Sequence, residues 1–67
     1  MKGKIVKFFS FKRCGFIEIT ETSDLIYFHK SDYPEHEKPS IGQLVEFIIV
    51  QTPKGEEAKD INVIKPK

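Results

Sequence analysis

Two short segments of the chain combine aromatic rings with positive charges. Residues 12–17 have the sequence Lys-Arg-Cys-Gly-Phe-Ile, and residues 26–30 have the sequence Ile-Tyr-Phe-His-Lys. Unpaired bases stack on aromatic side chains, and cations beside the rings contact the phosphates of the same strand. If the two segments lie side by side on one sheet, they predict a surface that binds single-stranded nucleic acid.

The residue types that carry catalysis or bind metals form no comparable pattern in the sequence. Cys14 is the only cysteine, and His29 and His36 lack companion ligands at the spacing of a zinc site. The acidic residues do not follow the order of a Ca²⁺ loop. The enzymatic alternative is a Cys14 thiol activated by the neighbouring Lys12 and Arg13. We predict instead that the protein is not an enzyme and holds no metal or cofactor.

The chain is short, and its charges are nearly balanced. Its 67 residues predict a single domain over residues 1–67, and the formal net charge is +1. The first fifth of the chain holds a run of cations with no acid among them: Lys2, Lys4, Lys7, Lys12 and Arg13. This distribution predicts one basic face. The alternative is that these cations only keep an edge strand soluble.

The hydropathy of the chain does not indicate a membrane protein. No stretch approaches the roughly 20 apolar residues of a membrane-spanning helix. Residues 1–4 lead into a strand pattern rather than into the apolar core of a signal peptide. We therefore expect a cytoplasmic protein that contacts no membrane.

Apolar and polar residues alternate along five segments, which is the pattern of half-buried β-strands. The predicted strands cover residues 3–9, 14–19, 24–29, 43–51 and 56–64. A loop over residues 33–40, with two prolines, separates the third strand from the fourth. Five antiparallel strands without a helical period predict an all-β fold that closes into a small barrel, since closure removes exposed strand edges.

The alternation also predicts which side chains form the core. The inward residues are Ile5, Ile17, Ile19, Ile26, Phe28, Val45, Phe47, Ile49, Ile61 and Val63. Phe16 and Tyr27 then point outward, because their neighbours occupy the inside. The fourth strand is apolar on both faces near its end, at Ile48 and Val50. Either the segment around Ile64 or the long loop covers them, or they form a patch for weak self-association.

The order of these motifs resembles that of the cold-shock domain, a five-stranded OB-fold barrel that binds single-stranded RNA and DNA. Residues 12–17 resemble the family's first ribonucleoprotein motif, Lys-Gly-Phe-Gly-Phe-Ile, and residues 26–29 resemble its second, Val-Phe-Val-His-Phe. Residues 3–5 are similar to the opening strand, residues 42–47 to the Gly-Gln-x-Val-x-Phe strand, and residues 54–61 to the Gln-Ala-x-Asn-Val ending. The resemblance covers nearly the whole chain.

The resemblance implies a role for several individual residues. Phe16 and Tyr27 match aromatic residues that stack on bases, and the phenol of Tyr27 adds a hydrogen-bonding group. His29 matches a histidine that packs against a base from the same face. Lys12 and Lys54 match positions where the family places basic residues, which implies contacts with phosphate.

Other positions depart from the family's motifs or match them less simply. Asp24 matches an acidic residue whose carboxylate accepts a hydrogen bond from a base edge. Cys14 replaces the first aromatic residue of the first motif, and Arg13 replaces its glycine, so the guanidinium plane is expected to substitute for one ring. Lys30 stands where the family usually has another aromatic residue. These departures imply a shorter and more electrostatic site.

The first strand can be aligned with the family's Lys-Trp-Phe in two ways. Without a gap, the motif falls on residues 6–8; with the following loop shortened by one residue, it falls on residues 7–9. We favour the second alignment, because it keeps two rings. Phe8 and Phe9 then join the binding surface, and Lys7 contacts phosphate beside them.

Taken together, the residues predict a protein that binds single-stranded RNA or DNA. Rings stack on the bases, cations hold the phosphates, and RNA is kept unpaired without ATP, as an RNA chaperone does. Two alternatives use the same residues. One is a small β-barrel whose exposed rings receive a peptide or a partner subunit. The other is an OB barrel of ribosomal or initiation-factor type that binds structured RNA.

Overall fold

The computed structural model describes residues 1–65 of the chain, and five strands form its architecture. They are β1 Lys2–Phe9, β2 Cys14–Ile19, β3 Leu25–His29, β4 Leu44–Thr52 and β5 Gly55–Val63. A short 3-10 helix, Lys30–Asp32, follows β3. The predicted strands are confirmed, with each boundary within one residue of the observed one. Residues 66 and 67 of the predicted domain lie outside the described residues.

The strands close into a barrel in the order β1-β2-β3-β5-β4. The predicted all-β barrel is confirmed, but the expectation that all neighbours are antiparallel is wrong for one pair. The pair β3–β5 is parallel and is joined at Tyr27 and Glu57. A closed ring with an odd number of strands cannot alternate in direction at every contact. One parallel pair is therefore a necessary consequence of closing a barrel from five strands.

The core consists of apolar side chains from all five strands and one from the long loop. The buried residues are Ile5, Ile17, Ile19, Ile26, Phe28, Tyr33, Val45, Phe47, Ala58 and Ile61. Two predicted core residues, Ile49 and Val63, are only partly buried and pack against this cluster. Tyr33 was not predicted to be buried, yet its ring packs 6.1 Å from that of Phe28. The loop after β3 therefore contributes to the core as well as connecting two strands.

A β-bulge changes which residues of β1 face the core. Ile5 pairs with Ile17 and Lys7 pairs with Phe16, so β1 carries one extra residue between these pairs. After the bulge, Phe8 lies opposite Gly15 and packs against the core cluster. A Cβ atom at Gly15 would collide with the carbonyl oxygen of Lys7 and lie 2.9 Å from the Phe28 ring. Only glycine allows β1 and β2 to approach this closely.

The outward apolar side chains of β4 remain accessible. Ile48 is 50% exposed and Val50 is 36% exposed. The amide of Ile64 donates to the carbonyl oxygen of Leu44 at 2.9 Å, which keeps the end of the chain at the start of β4. The interpretation in which the Ile64 segment or the loop covers Ile48 and Val50 is therefore wrong, because their exposed area is not hidden by either.

Candidate functional site

One row of side chains crosses the outer face of the barrel, perpendicular to the strands. Lys7 on β1 lies opposite Phe16 on β2, and Phe16 lies opposite Tyr27 on β3. Tyr27 in turn lies opposite Glu57 on β5. Side chains that are paired across neighbouring strands share one face of a sheet. These four residues, termed the outer row, therefore bring a cation, two rings and a carboxylate onto one surface.

The two rings of the outer row contact each other edge to face. The ring centroids of Phe16 and Tyr27 are 6.2 Å apart, and the ring planes make an angle of 76°. This is a favoured arrangement for aromatic pairs. A base that stacks flat on one of these rings meets the edge of the other. The predicted proximity of the two rings is confirmed.

The structure places Lys7, and not Phe8, in the outer row. The bulge between Ile5 and Lys7 turns Phe8 inward, where its ring stacks on Phe28 at a centroid distance of 6.1 Å and an interplanar angle of 16°. The favoured alignment, with Phe8 as the stacking residue of β1, is therefore wrong. The gapless alignment is correct in its placement, because it puts the long side chain of Lys7 opposite Phe16.

A second row of side chains lies next to the outer row. Phe9 on β1 pairs with Cys14 on β2, and Cys14 pairs with His29 on β3. Phe9 is 45% exposed, so its ring is available on the surface. The Nδ1 atom of His29 accepts a hydrogen bond of 3.1 Å from the amide of Ser31, so the side chain of His29 caps the N-terminus of the short helix. The remaining hydrogen-bonding capacity of His29 is at Nε2.

The phenol of Tyr27 is held in its protonated form. Burial is the largest cause that raises the pKa of Tyr27. The neighbouring Cys14 raises this pKa further, and so does the carboxylate of Glu57. At neutral pH the phenol is therefore uncharged, and it does not repel the phosphates of a bound strand.

A comparison with known protein families agrees with this geometry. The family model described as the 'Cold-shock' DNA-binding domain matches residues 1–64 of the chain. The chain belongs to the cold-shock domain family. Its fold is thus one that binds nucleic acid, and the resemblance recognised in the sequence is confirmed. None of the curated proteins compared with the chain is a match.

Two predicted cations of this cold-shock domain lie together beside a cleft. The amide of Lys30 donates to the carbonyl oxygen of Arg13 at 2.8 Å, which joins the β1–β2 turn to the short helix. The cleft has a volume of about 550 Å³, and its lining residues are Phe8, Ser10, Arg13, Lys30, Lys38 and Pro39. Lys38 was missed by sequence reasoning, because it lies in a loop of alternating charges where no pattern distinguishes it.

Three other predicted residues of the domain lie outside the outer row. Lys12 is exposed in the β1–β2 turn, and Lys54 is exposed in the β4–β5 turn, where its amide donates to Thr52 Oγ1 at 3.1 Å. Asp24 lines a different cleft, which it shares with Met1 and Leu25 among others. Within residues 1–65, that cleft contains none of the other predicted binding residues.

An ionic cluster at the β5 end of the outer row was also missed. Lys59 Nζ lies 3.1 Å from Asp32 Oδ2 and 3.5 Å from Glu57 Oε1. The hydrogen bond to Asp32 is the largest cause that raises the pKa of Lys59. The Thr52 hydroxyl lies 3.1 Å from Glu57 Oε2 and 2.8 Å from the carbonyl oxygen of Gly55, and its one proton is shared between them. No local motif indicates this cluster, since Glu57 and Tyr27 meet only through the pairing of β3 with β5.

In residues 1–65, no three His, Cys, Asp or Glu side chains gather in a way that would hold a metal ion. Over the same residues, no helix is long and apolar enough to cross a membrane.

Proposed function

We propose that this cold-shock domain binds single-stranded RNA or DNA by stacking unpaired bases on Phe16 and Tyr27. The observation that supports this most directly is the outer row, in which the two rings point outward on adjacent strands beside Lys7. Each stacked base is worth about 1–3 kcal/mol. The bases of a duplex are already stacked on each other, so a ring surface favours the single strand.

Cations around the rings are proposed to contact the phosphates. Lys7 lies in the outer row, and the other cations proposed for this role are Lys12, Arg13, Lys30 and Lys54. Lys12 and Arg13 lie in the β1–β2 turn, Lys54 in the β4–β5 turn and Lys30 in the short helix, outside the strands that carry the rings. Phosphate contacts of this kind do not depend on sequence. They hold the backbone while the bases turn toward the rings.

Four further residues have assigned roles in the proposal. Phe9 and His29 extend the stacking surface along the second row. Asp24, which lies near the opposite end of β3, accepts a hydrogen bond from a base on that side of the outer row. Phe8 contributes only the part of its ring that lines the cation-rich cleft with Arg13. A strand bound in this way is kept from pairing without any use of ATP, so we propose that the protein acts as an RNA chaperone. Its cytoplasmic location stays a prediction.

Fluorescence anisotropy of labelled oligonucleotides tests the proposed function. Wild-type protein is expected to bind U-rich and mixed single strands more tightly than a duplex of the same length. Phe16→Ala and Tyr27→Ala should each weaken single-strand binding by about tenfold, which corresponds to the loss of about 1.4 kcal/mol of stacking. The matched control is Ile48→Ala, which also truncates a half-exposed apolar side chain but on β4.

Two results would contradict the proposal. One is a folded wild-type protein that binds single strands no better than the duplex. The other is unfolding of Phe16→Ala or Tyr27→Ala, monitored by circular dichroism, which would mean that these rings serve the core and not a surface.

A second candidate function is weak self-association through β4. The exposure of Ile48 at 50% and of Val50 at 36% favours it, because both side chains are apolar and lie on the same strand. Sedimentation velocity at increasing protein concentration tests it. A rise in sedimentation coefficient that Ile48→Ala abolishes is expected if this patch associates, and a constant coefficient would rule it out.

A further inference from the structure

The carboxylate of Glu57 is held in place at the edge of the proposed base-stacking surface. Its side chain is only 16% exposed, and Lys59 Nζ lies 3.5 Å from Oε1. The Thr52 hydroxyl lies 3.1 Å from Oε2, and its one proton is shared with the carbonyl oxygen of Gly55 at 2.8 Å. Lys59 is itself anchored by Asp32 at 3.1 Å. Glu57 is thus positioned from two sides, unlike a freely rotating surface glutamate.

The pairing of β3 with β5 makes this carboxylate a neighbour of a stacked base. Glu57 is the register partner of Tyr27, and neighbouring strands are about 4.8 Å apart. A base that lies on the Tyr27 ring therefore directs one edge toward Glu57. The negative charge of Glu57 repels phosphate, so a bound strand presents a base there and not its backbone.

The chemistry of a carboxylate restricts which base edge it accepts. An ionised carboxylate only accepts hydrogen bonds, and it has about four lone-pair sites on its two oxygens. Lys59 occupies one site on Oε1 and the Thr52 hydroxyl contacts Oε2, which leaves both oxygens able to accept from a ligand. The partner must therefore present hydrogen-bond donors, and two adjacent donors fit the two oxygens best.

Among the bases, guanine has the matching Watson–Crick edge. It presents the N1–H and the N2 amino group side by side. Uracil presents one N–H between two carbonyl acceptors, while cytosine and adenine present one amino group next to an acceptor nitrogen. Splayed bases of single strands are commonly recognised on this edge. We propose, on the basis of the function proposed above, that Glu57 makes this domain prefer a guanine at the position stacked on Tyr27.

Oligouridylates of about seven nucleotides, each with a single guanosine at a different position, test this inference. In anisotropy titrations, the best-placed guanosine should tighten binding by wild-type protein about tenfold over the all-uridine strand, as a good bidentate contact would. Inosine lacks the N2 amino group and should give an intermediate affinity. This comparison needs no variant, so it does not depend on how a substitution affects folding.

Glu57→Gln then assigns the preference to the carboxylate. The variant is expected to bind the all-uridine strand at least as tightly as wild type and to lose most of the gain from guanosine. Glu56→Gln is the matched control, because it removes the same charge from the exposed neighbouring residue, which pairs with Gln51. It should keep the guanosine preference.

Several results would overturn the inference while leaving the proposed function intact. Equal affinity of wild type for the guanosine and uridine strands would do so, if Phe16→Ala still weakens binding of both. An increase in affinity of Glu57→Gln for all strands by one common factor would show that Glu57 acts only by repelling phosphate. Failure of the folded wild type to bind any single strand would instead overturn the proposed function, and this inference with it.

Discussion

The burial of Tyr33 could not be predicted from the residues next to it in the sequence. Tyr33 lies between the short helix and a proline-containing loop, yet only 3% of it is exposed. Its ring packs on Phe28, but within residues 1–65 its hydroxyl has no hydrogen-bond partner. A buried polar group without a partner costs stability, so the ring of Tyr33 stabilises the core while its hydroxyl opposes it.

Replacement of Tyr33 by phenylalanine is expected to raise stability. The ring stays in place, and removal of the unpaired hydroxyl should increase the free energy of unfolding by about 1 kcal/mol at pH 7. Urea denaturation of both proteins measures the difference. Tyr27→Phe is a control, because the hydroxyl of Tyr27 is not a buried polar group without a partner, so no such gain is expected.

The same substitution is expected to reduce the loss of stability in alkali. Burial, followed by the charge of Glu37, raises the pKa of Tyr33 above its ordinary value of about 10. The unfolded chain therefore releases this proton first, and the stability from the neutral phenol is complete below pH 10. It falls as the pH rises from about 10 through the higher pKa of the folded state. Equal losses for wild type and Tyr33→Phe up to pH 11 would contradict this account.

The turn between β1 and β2 is the element in which this chain departs most from the cold-shock motif. Arg13 replaces the motif's glycine, and its φ is +56°, in the left-handed region. A residue with a Cβ pays about 1–2 kcal/mol for that conformation, which glycine avoids. The carbonyl oxygen of Arg13 nevertheless accepts from the amide of Lys30, so the turn keeps its shape. The chain thus carries a cation at this turn at the expense of backbone strain.

A matched pair of substitutions separates the strain of this turn from its charge. Arg13→Gly and Arg13→Ala both remove the guanidinium, but only glycine relieves the backbone. We expect Arg13→Gly to exceed Arg13→Ala in free energy of unfolding by about 1 kcal/mol, measured by urea denaturation. Both variants should bind single strands equally weakly compared with wild type. Equal stability of the two variants would show that the turn is not strained.

Over the whole molecule, positive and negative charges nearly cancel, but the cations assigned to phosphate contact occur in a few particular elements. The net charge is +1, so general attraction to a polyanion is small. The cations assigned to phosphate contact nevertheless lie in β1, the β1–β2 turn, the β4–β5 turn and the short helix, and Lys7 is part of the outer row. The Lys59 amine is different, because it is engaged by Asp32 at 3.1 Å. Affinity for a strand should therefore depend on a small number of local contacts.

The salt dependence of binding measures how many phosphates the protein neutralises. For single strands, the logarithm of the affinity falls with the logarithm of salt concentration with a slope of about −0.7 for each phosphate neutralised. Four or five contacts thus predict a slope of about −3 for wild type. Lys12→Ala should make the slope shallower by about 0.7. Lys2→Ala is the control, since Lys2 lies at the start of β1 and pairs with Glu46 on β4. An identical slope for all three proteins would remove Lys12 from the site.

The positions of the five strands, most of the core and the family follow from the sequence by itself. Each of these depends on alternation between near neighbours or on short motifs in order, and both are properties of the chain before it folds. Phe16 and Tyr27 were placed outward in this way, and their proximity followed from a hairpin of consecutive strands. The parallel β3–β5 pair also follows from the strand count, once the barrel is closed.

Only the tertiary structure decided the remaining features of the candidate site. A one-residue bulge in β1 placed Lys7 opposite Phe16 and turned Phe8 toward the core, because an inserted residue reverses the face of every residue that follows it. The pairing of β3 with β5, which are distant in sequence, put Glu57 beside Tyr27. Packing against one end of the barrel core buried Tyr33. These features depend on contacts between residues that are far apart in the sequence, and the alternation of polar and apolar residues along one strand does not predict them.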